Sequence, residues 1–546
     1  MSGKADWILL NGNVRTVDSN NPRCQALAIL DQKIAGVGTT REMESLKGPA
    51  TRVTDLQGRT VLPGFIDPHQ HLMSYGITMK TWVDLAGTST YQDIPARIAE
   101  RVRSAPPGKW ILGRGWNEEV DPERRLPTRW ELDAAAPANP VACRDISGHY
   151  SLANSLALKL GGVTKDTPQP EGGWIDKDPR TGEPIGILRE AAQKFVFMMS
   201  PPLTYPEILE AVELGCKKAN SIGLTSVHTV GIPLPHVFGY SSEEIRAYVD
   251  LNLSGKLTVR AYLLIPVNFR SKTVDTVMLD HLIGLGLKTG FGNSMLRIGP
   301  AKIFVDGSLN ARSAALYEPY SDDPSTSGIM FYTQDQLDAI VGKAHRAGFQ
   351  VAIHAHGDRA IDISLNAFAK ALAEFPRENH RHRIKHVELL NDEQIARIKS
   401  LGLIVTGIPT PAGFSPWFQQ MARVRVGPKR AKLLHRYKEV MENGTLVVGG
   451  TDGHPVGKYL APLQGLRDRV RVAGFTLDQA LEIQTINSAY ASFEETVKGT
   501  IEPGKFADLV ILGEDPFAVD VDHIPDIRLE KTIVGGKVVF SNESAE

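Results

Sequence analysis

From residue 60 to residue 492, short apolar runs and amphipathic helical patterns alternate, and this constrains the fold more than any other feature of the chain. The strand-like runs are VLPGFID, KWILGRGW, PVACRDI, LTSVHTV, TVRAYLLI, LRIGPAKIFVDG, FQVAIHAHG, RIKHVEL, GLIVTGI and TLVVGGTDG. Helical patterns such as TQDQLDAIVGKAHRAG and NDEQIARIKSLG lie between several of them. Thr333 and Asn391 each precede a helical run with Gln336 or Gln394 three residues on, the spacing of a capping box. Alternating βα units of this length predict an α/β fold, a parallel sheet closed into a TIM-like (β/α)8 barrel. Residues 85–200 are too many for one βα loop and read as an insertion near the barrel mouth that shapes the substrate pocket. Residues 1–59 and 493–546 are β-rich, with Asn11-Gly12 and Asp31-Gln32 placed as hairpin turns. They predict a small composite β-sandwich domain built from both termini, for structural support, around a barrel of residues 60–492.

At 546 residues, more than one structural unit is expected. The formal net charge of −1 gives no electrostatic case for nucleic acid or an anionic membrane as partner. Cys24, Cys143 and Cys216 are few and widely spaced, which argues against a disulfide framework and fits a reducing compartment. The start MSGKADWILLNG lacks the apolar core of a signal peptide, and no apolar run of about 20 residues occurs. A cytoplasmic enzyme is expected.

Active sites of such barrels lie at the C-terminal ends of the strands. In PGFIDPHQH, His69 and His71 are one residue apart, so on an extended strand their rings share a face. Imidazole suits Zn, Fe and Ni. The pair is either half a metal site or two partly exposed histidines at a strand end. Lys302 sits inside the apolar run GPAKIFVDG, where a charged ammonium is costly to bury. It either snorkels to the rim or is held neutral, able to add carbon dioxide. VAIHAHGD offers His354 and His356 on one face, and RIKHVEL supplies His386 at the next strand. Asp452 ends the run LVVGGTDGHP and is placed as a base toward metal-bound water. Asp306 and Asp358 are alternatives, but their DG and GD settings already have turn explanations.

PGFIDPHQH resembles the first-strand signature of the amidohydrolase superfamily of metal-dependent hydrolases, and the later motifs resemble its YtcJ-like (amidohydrolase 3) branch over nearly the whole chain. The resemblance implies that Lys302, in a matching KxxxDG motif, is carboxylated and bridges two divalent ions. It implies metal ligation by His69, His71, His354, His386 and Asp452, with Asp452 also the proton shuttle. His356 is extra to the pattern, and its role, like that of His454, is left open. His149, in DISGHYSLANSLAL, matches a family segment and is a candidate for polarising the substrate carbonyl; a structural polar contact is the other reading. GTIEPGKFADLVIL resembles the last strands of the family's composite domain. Where the family often has an acid after GRGW, this chain has Asn117, which puts the substrate group contacted there in doubt.

The implied activity is hydrolysis of an amide or related C–N bond other than a peptide bond, of N-acyl, N-formyl, lactam or carbamate type, by metal-activated hydroxide. The ions would be Zn²⁺, one or two, or Fe, Mn, Ni or Co. A mononuclear-metal deaminase of a heterocycle is an alternative, although HAHGD lacks the glutamate such barrels use to shuttle protons. A non-catalytic assembly protein on the same fold is another, opposed by the six filled ligand positions. Trp82, Trp110, Trp116, Phe414 and Trp417 suggest a small-molecule substrate with an aromatic or apolar portion; core packing is the competing explanation. The expected assembly is a homodimer.

Overall fold

The computed structural model describes residues 4–88, 90–117, 127–231, 242–267, 276–407, 416–452 and 462–542. Eight parallel strands form a nearly closed barrel, in spatial order β1 to β8. They are β1 (Phe65–Gln70), β2 (Leu224–Val230), β3 (Arg260–Pro266), β4 (Leu296–Phe304), β5 (Val351–Ala355), β6 (Arg383–His386), β7 (Ile404–Gly407) and β8 (Val447–Gly449). Among the described residues, the seam between β8 and β1 is closed by a side-chain contact and one backbone bond instead of a ladder. Thr451 N–H donates to Asp67 Oδ1 at 3.2 Å, and Asp452 N–H donates to the His69 carbonyl at 2.8 Å. Gly450 permits this approach, because a Cβ there would lie 2.6 Å from His69 Cβ. Both predicted capping boxes are present, at Thr333 before Gln334–Arg346 and at Asn391 before Asp392–Ser400.

KWILGRGW and PVACRDI are strands, but not of the barrel. Ile111–Trp116 and Val141–Asp145 pair in parallel across the helix Arg129–Ala135, so they carry the same βαβ texture. They belong to a separate six-stranded sheet in the order 173–177, 184–190, 150–153, 141–145, 111–116, 83–84. VLPGFID also divides. Thr60–Pro63 pairs antiparallel with Leu509–Leu512 in a terminal sheet, and the chain enters the barrel only after Gly64. A Cβ at Gly64 would overlap Thr225 on β2, so the crossing from one sheet to the other needs glycine there.

The N-terminal segment forms a four-stranded sheet by itself, strands from both ends of the chain share a six-stranded sheet, and Trp7, Leu27, Ile29, Val61, Leu509 and Ile533 pack in one cluster. Asp31 and Gln32, at φ 49° and 68°, make the predicted hairpin turn between Ala26–Leu30 and Lys33–Gly38. Asn11-Gly12 does not make a hairpin, since Trp7–Leu10 and Asn13–Arg15 lie in different sheets. Arg260 on β3 grips Asp508 at 2.7 and 2.9 Å, tying the terminal sheets to the barrel. Among the described residues no helix is long and apolar enough to cross a membrane.

Helix α1 (Leu72–Lys80) follows His71 directly and packs on α2 (Tyr205–Ser221) through Gly76 and Gly215. A Cβ on Gly76 would overlap the backbone of Ala211. Alanine gains about 1 kcal/mol of helix propensity over glycine, but backbone overlap in a packed interface costs about 1–3 kcal/mol or more. Gly76→Ala is therefore expected to lower the apparent midpoint in urea; an unchanged or higher midpoint would show that the two helices separate freely.

Candidate metal centre

The chemically loaded barrel residues cluster at the C-terminal ends of the strands. His69 lies within β1, while His71 is already the residue that starts α1, with φ −119° and ψ 71°. Both rings still turn to one carboxylate: His69 Nε2 and His71 Nε2 approach Asp452 Oδ1 at 3.1 and 3.3 Å. His71 Nδ1 lies 2.8 Å from the Val230 carbonyl, which can only accept, so Nδ1 carries the proton. Burial lowers the His71 pKa, leaving a neutral ring whose Nε2 lone pair faces a carboxylate oxygen. Two lone pairs at that distance repel unless a cation or a proton lies between them. His69 Nδ1 is buried with no hydrogen-bond partner among the described residues.

A second group adjoins the first across the His69 and His386 rings, whose centroids are 5.1 Å apart. His354, His356 and His386 each offer a nitrogen within 4.8 Å of the others, and all three are buried. His386 is 1% exposed, yet neither of its nitrogens has a partner among the described residues. An unpaired buried polar group costs about 1–3 kcal/mol, so these nitrogens fit an ion better than a packed core. Burial holds His69, His354 and His386 well below the ordinary histidine range, so they are the neutral imidazoles that ligation requires. A charged Lys302 amine would push all three the same way. Lys302 is fully buried, with Nζ 4.3 Å from the Phe304 ring centre.

Strained backbone holds these groups in position. His386, Val387 and Asp452 have φ of 69°, 45° and 58°, the left-handed region that a β-branched residue such as valine rarely enters. The turn at His386 is pinned by Tyr437 Oη, which donates to the His386 carbonyl at 2.7 Å, and by Val387 N–H, which donates to Ala355 O at 3.0 Å.

Residues 52–540 match the amidohydrolase family. The chain belongs to that family. It is 31% identical to YtcJ of Bacillus subtilis (strain 168), over 98% of this chain and 99% of that one. It is 30% identical to an N-substituted formamide deformylase of Arthrobacter pascens, over 98% of each chain. A solved metal-dependent hydrolase from Pyrococcus horikoshii OT3 superposes with a TM-score of 0.73 at 28% identity, covering 95% of this chain and 99% of that one.

In this amidohydrolase the six-stranded sheet delivers His149 to the centre, its ring centroid 5.8 Å from that of His354. His149 Nδ1 is held 2.7 Å from Glu190 Oε1, and Ser313 Oγ donates to the same oxygen. Glu190 has φ 47° and is fully buried. Asp306 is occupied elsewhere, accepting from the backbone N–H of Ala315, His356 and Gly357 at 2.9–3.0 Å, and burial pushes its carboxyl up to about 7. Asp358 starts the helix Asp358–Glu374 and accepts from Tyr317 N–H.

Two buried groups beside the centre were not singled out from the sequence. Asp67 binds the His69 N–H and the Thr451 backbone, and burial pushes its carboxyl up to about 6. Lys385 lies within reach of the Pro68 carbonyl at 3.5 Å; burial first, then Lys302, hold its amine well below the usual lysine range. The DP of DPHQH and the KH of RIKH were the available signals. The aromatic expectation fares differently. Trp116 is buried edge-on to Tyr150 and donates to the Cys143 carbonyl, which makes it a packing residue, and Trp82 and Trp110 are partly buried against an apolar cluster. Asn117 is buried at the end of Ile111–Trp116. Phe414, His454 and the Trp417 side chain lie outside the described residues.

Proposed function

We propose that this amidohydrolase hydrolyses the C–N bond of a small N-substituted amide, with N-formyl amines the foremost class and N-acyl amines, lactams and carbamates behind them. The observation that carries the reading is the meeting of Asp452 with His69 and His71 beside the His354 and His386 pocket at one barrel mouth. The likeness to an N-substituted formamide deformylase over 98% of each chain favours the formyl class. His69, His71 and Asp452 would hold one divalent ion, His354 and His386 a second, with Lys302 between them as a carbamate. Zn²⁺, or Fe, Mn, Ni or Co in its place, supplies Lewis acidity there, polarising a carbonyl and bringing the pKa of water from 15.7 toward about 7.

The chain's own groups do the rest. Val230 O fixes the His71 tautomer, and Glu190 holds Nδ1–H of His149, so that Nε2 could donate to a substrate carbonyl from a doubly protonated ring, the form a neighbouring carboxylate favours. Asp452 takes the proton from water and returns it to the departing amine nitrogen, so water and amide become acid and amine. The neutral amine of Lys302 adds carbon dioxide and releases a proton, leaving a carboxylate suited to divalent ions.

The test is metal-reconstituted protein with 4-nitroformanilide, alongside N-acyl amino acids, lactams and carbamates. Metal-dependent release of 4-nitroaniline and formate is expected. After acid stripping, activity should return fully only with bicarbonate and metal together, and isotope-labelled bicarbonate should give a carbamate signal by NMR that Lys302→Ala lacks. Protein that holds metal but turns over none of these substrates would refute the reading.

A further inference from the structure

Buried histidines in this protein divide by what their ring nitrogens touch. His345, His380 and His382 form a closed set. His345 Nδ1 meets His382 Nε2 at 2.9 Å, and His345 Nε2 meets the Phe375 carbonyl at 2.7 Å. His382 Nδ1 accepts from Val351 N–H at 2.9 Å. His380 Nδ1 accepts from His382 N–H at 2.9 Å, and its Nε2 meets the Leu401 carbonyl at 3.1 Å. Both nitrogens of each ring are satisfied by the protein, so these residues need no ligand.

At the barrel mouth the arrangement is open. His356 Nδ1 lies 2.9 Å from Glu388 Oε2, with both side chains under a tenth exposed. The His356 ring stacks on His386 with centroids 4.1 Å and planes 19° apart, and its centroid is 4.5 Å from that of His354. A metal-ligating histidine nearly always presents its other N–H to a carboxylate or a carbonyl, which sets the tautomer and ring direction. His71 has that support from Val230 O, and Glu388 Oε2 lies 2.9 Å from His356 Nδ1, placed to give the same support although the two are not aligned as a hydrogen bond without an ion. The support is built at a cost. Two successive left-handed residues, His386 and Val387, turn the chain back so that Leu389 N–H donates to the His356 carbonyl at 3.2 Å and Glu388 returns beside its ring. Such residues are strained and persist only where their surroundings hold them.

We propose that His356 is a third imidazole ligand of the second ion, together with His354 and His386, and that Glu388 is its positioning residue. The proposal rests on the metal-dependent reading above and adds to it a ligand outside the sequence pattern of the family. A three-imidazole pocket favours Zn, Co, Ni or Fe over the oxygen-preferring Mn and Mg, so the second ion is selected by this cluster.

The test loads the full-length protein with Co²⁺ and measures ion content, visible absorption and affinity by chelator competition, for wild type, His356→Ala, His356→Gln and Glu388→Gln. Wild type should take up two ions. The His356 variants should keep one ion and bind the second at least tenfold more weakly, with altered absorption bands. Glu388→Gln should weaken the second ion about 10–100-fold, the usual cost of losing such a partner. Should His356→Ala fail to fold, His356→Gln and Glu388→Gln decide the matter. Folded variants with two ions at wild-type affinity and an unchanged spectrum overturn the proposal, reducing His356–Glu388 to a structural ion pair and leaving the hydrolase reading intact. Wild type with a single ion overturns it too, and wild type with none overturns the hydrolase reading as well.

Discussion

Asp452→Asn is expected to lower kcat by roughly 10²–10⁴, the usual contribution of general acid–base catalysis. The side chain sits where it can serve a base, with Oδ1 3.1 and 3.3 Å from the His69 and His71 Nε2 atoms and about a fifth of its surface open. A carboxylate beside cations is held ionised, because opposite charge within about 4–6 Å favours the charged form. It can still accept a proton in the transition state from water that is itself acidified. Asparagine keeps the size and shape and removes the base. It also suits the backbone, since Asp452 has φ 58° and asparagine tolerates the left-handed region where alanine would be strained. The Asp452 N–H bond to His69 O closes the barrel seam and does not depend on the side chain. KM should change far less than kcat if the group acts in the transition state. Metal content is measured alongside the rate, because one negative charge is also lost. A fully metallated Asp452→Asn protein with near-normal kcat would move the proton transfer to another group at the barrel mouth.

What the sequence made legible was whatever depends on neighbours along the chain. The capping boxes at Thr333 and Asn391, the turn at Asp31-Gln32 and the histidines at strand ends all follow from local spacing. Sheet membership does not. Ile111–Trp116 and Val141–Asp145 form a parallel βαβ unit outside the barrel; their texture matches that of LTSVHTV and TVRAYLLI, and only the length of residues 85–200, too great for one βα loop, sets them apart. The run around Pro63-Gly64 reads as one strand because both halves are apolar, although they are buried in different sheets. The candidate site divides the same way. His69, His71, His354, His386 and Asp452 are marked by their place at strand ends. Glu190 and Glu388 are not, because each matters only through a contact made in three dimensions: Glu190 meets a histidine 41 residues earlier, and Glu388 is brought to His356 by a left-handed turn no propensity announces. Trp116 shows the converse, since an aromatic that completes a core looks the same in sequence as one that meets a ligand.

His69→Ala and His386→Gly should each remove one ion, and not the same one. The two rings are 5.1 Å apart at their centres but belong to different donor groups, His69 with His71 and Asp452, His386 with His354 and His356. Loss of a partner behind a ligand already costs 10–100-fold in affinity, so loss of the ligand itself should cost at least roughly that much. Glycine is the right replacement for His386, because φ is 69° there and alanine would add about 1–2 kcal/mol of backbone strain unrelated to metal. The metal-free His386→Gly protein should lose little stability from polar contacts. Its two nitrogens have no partner among the described residues, and removing buried unpaired groups relieves about 1–3 kcal/mol, against a cavity cost of similar size. The difference between the proteins should appear only when metal is added. An ion present at about 100 times its Kd stabilises a folded chain by about 2.7 kcal/mol, so wild type should melt higher on titration with Zn²⁺ and each variant should show only part of that rise. Elemental analysis should then find one ion fewer than wild type in each variant, and almost none in the double variant. If both single variants are folded and still carry the wild-type metal content, His69 and His386 are packing residues and the centre has to be assigned to other side chains.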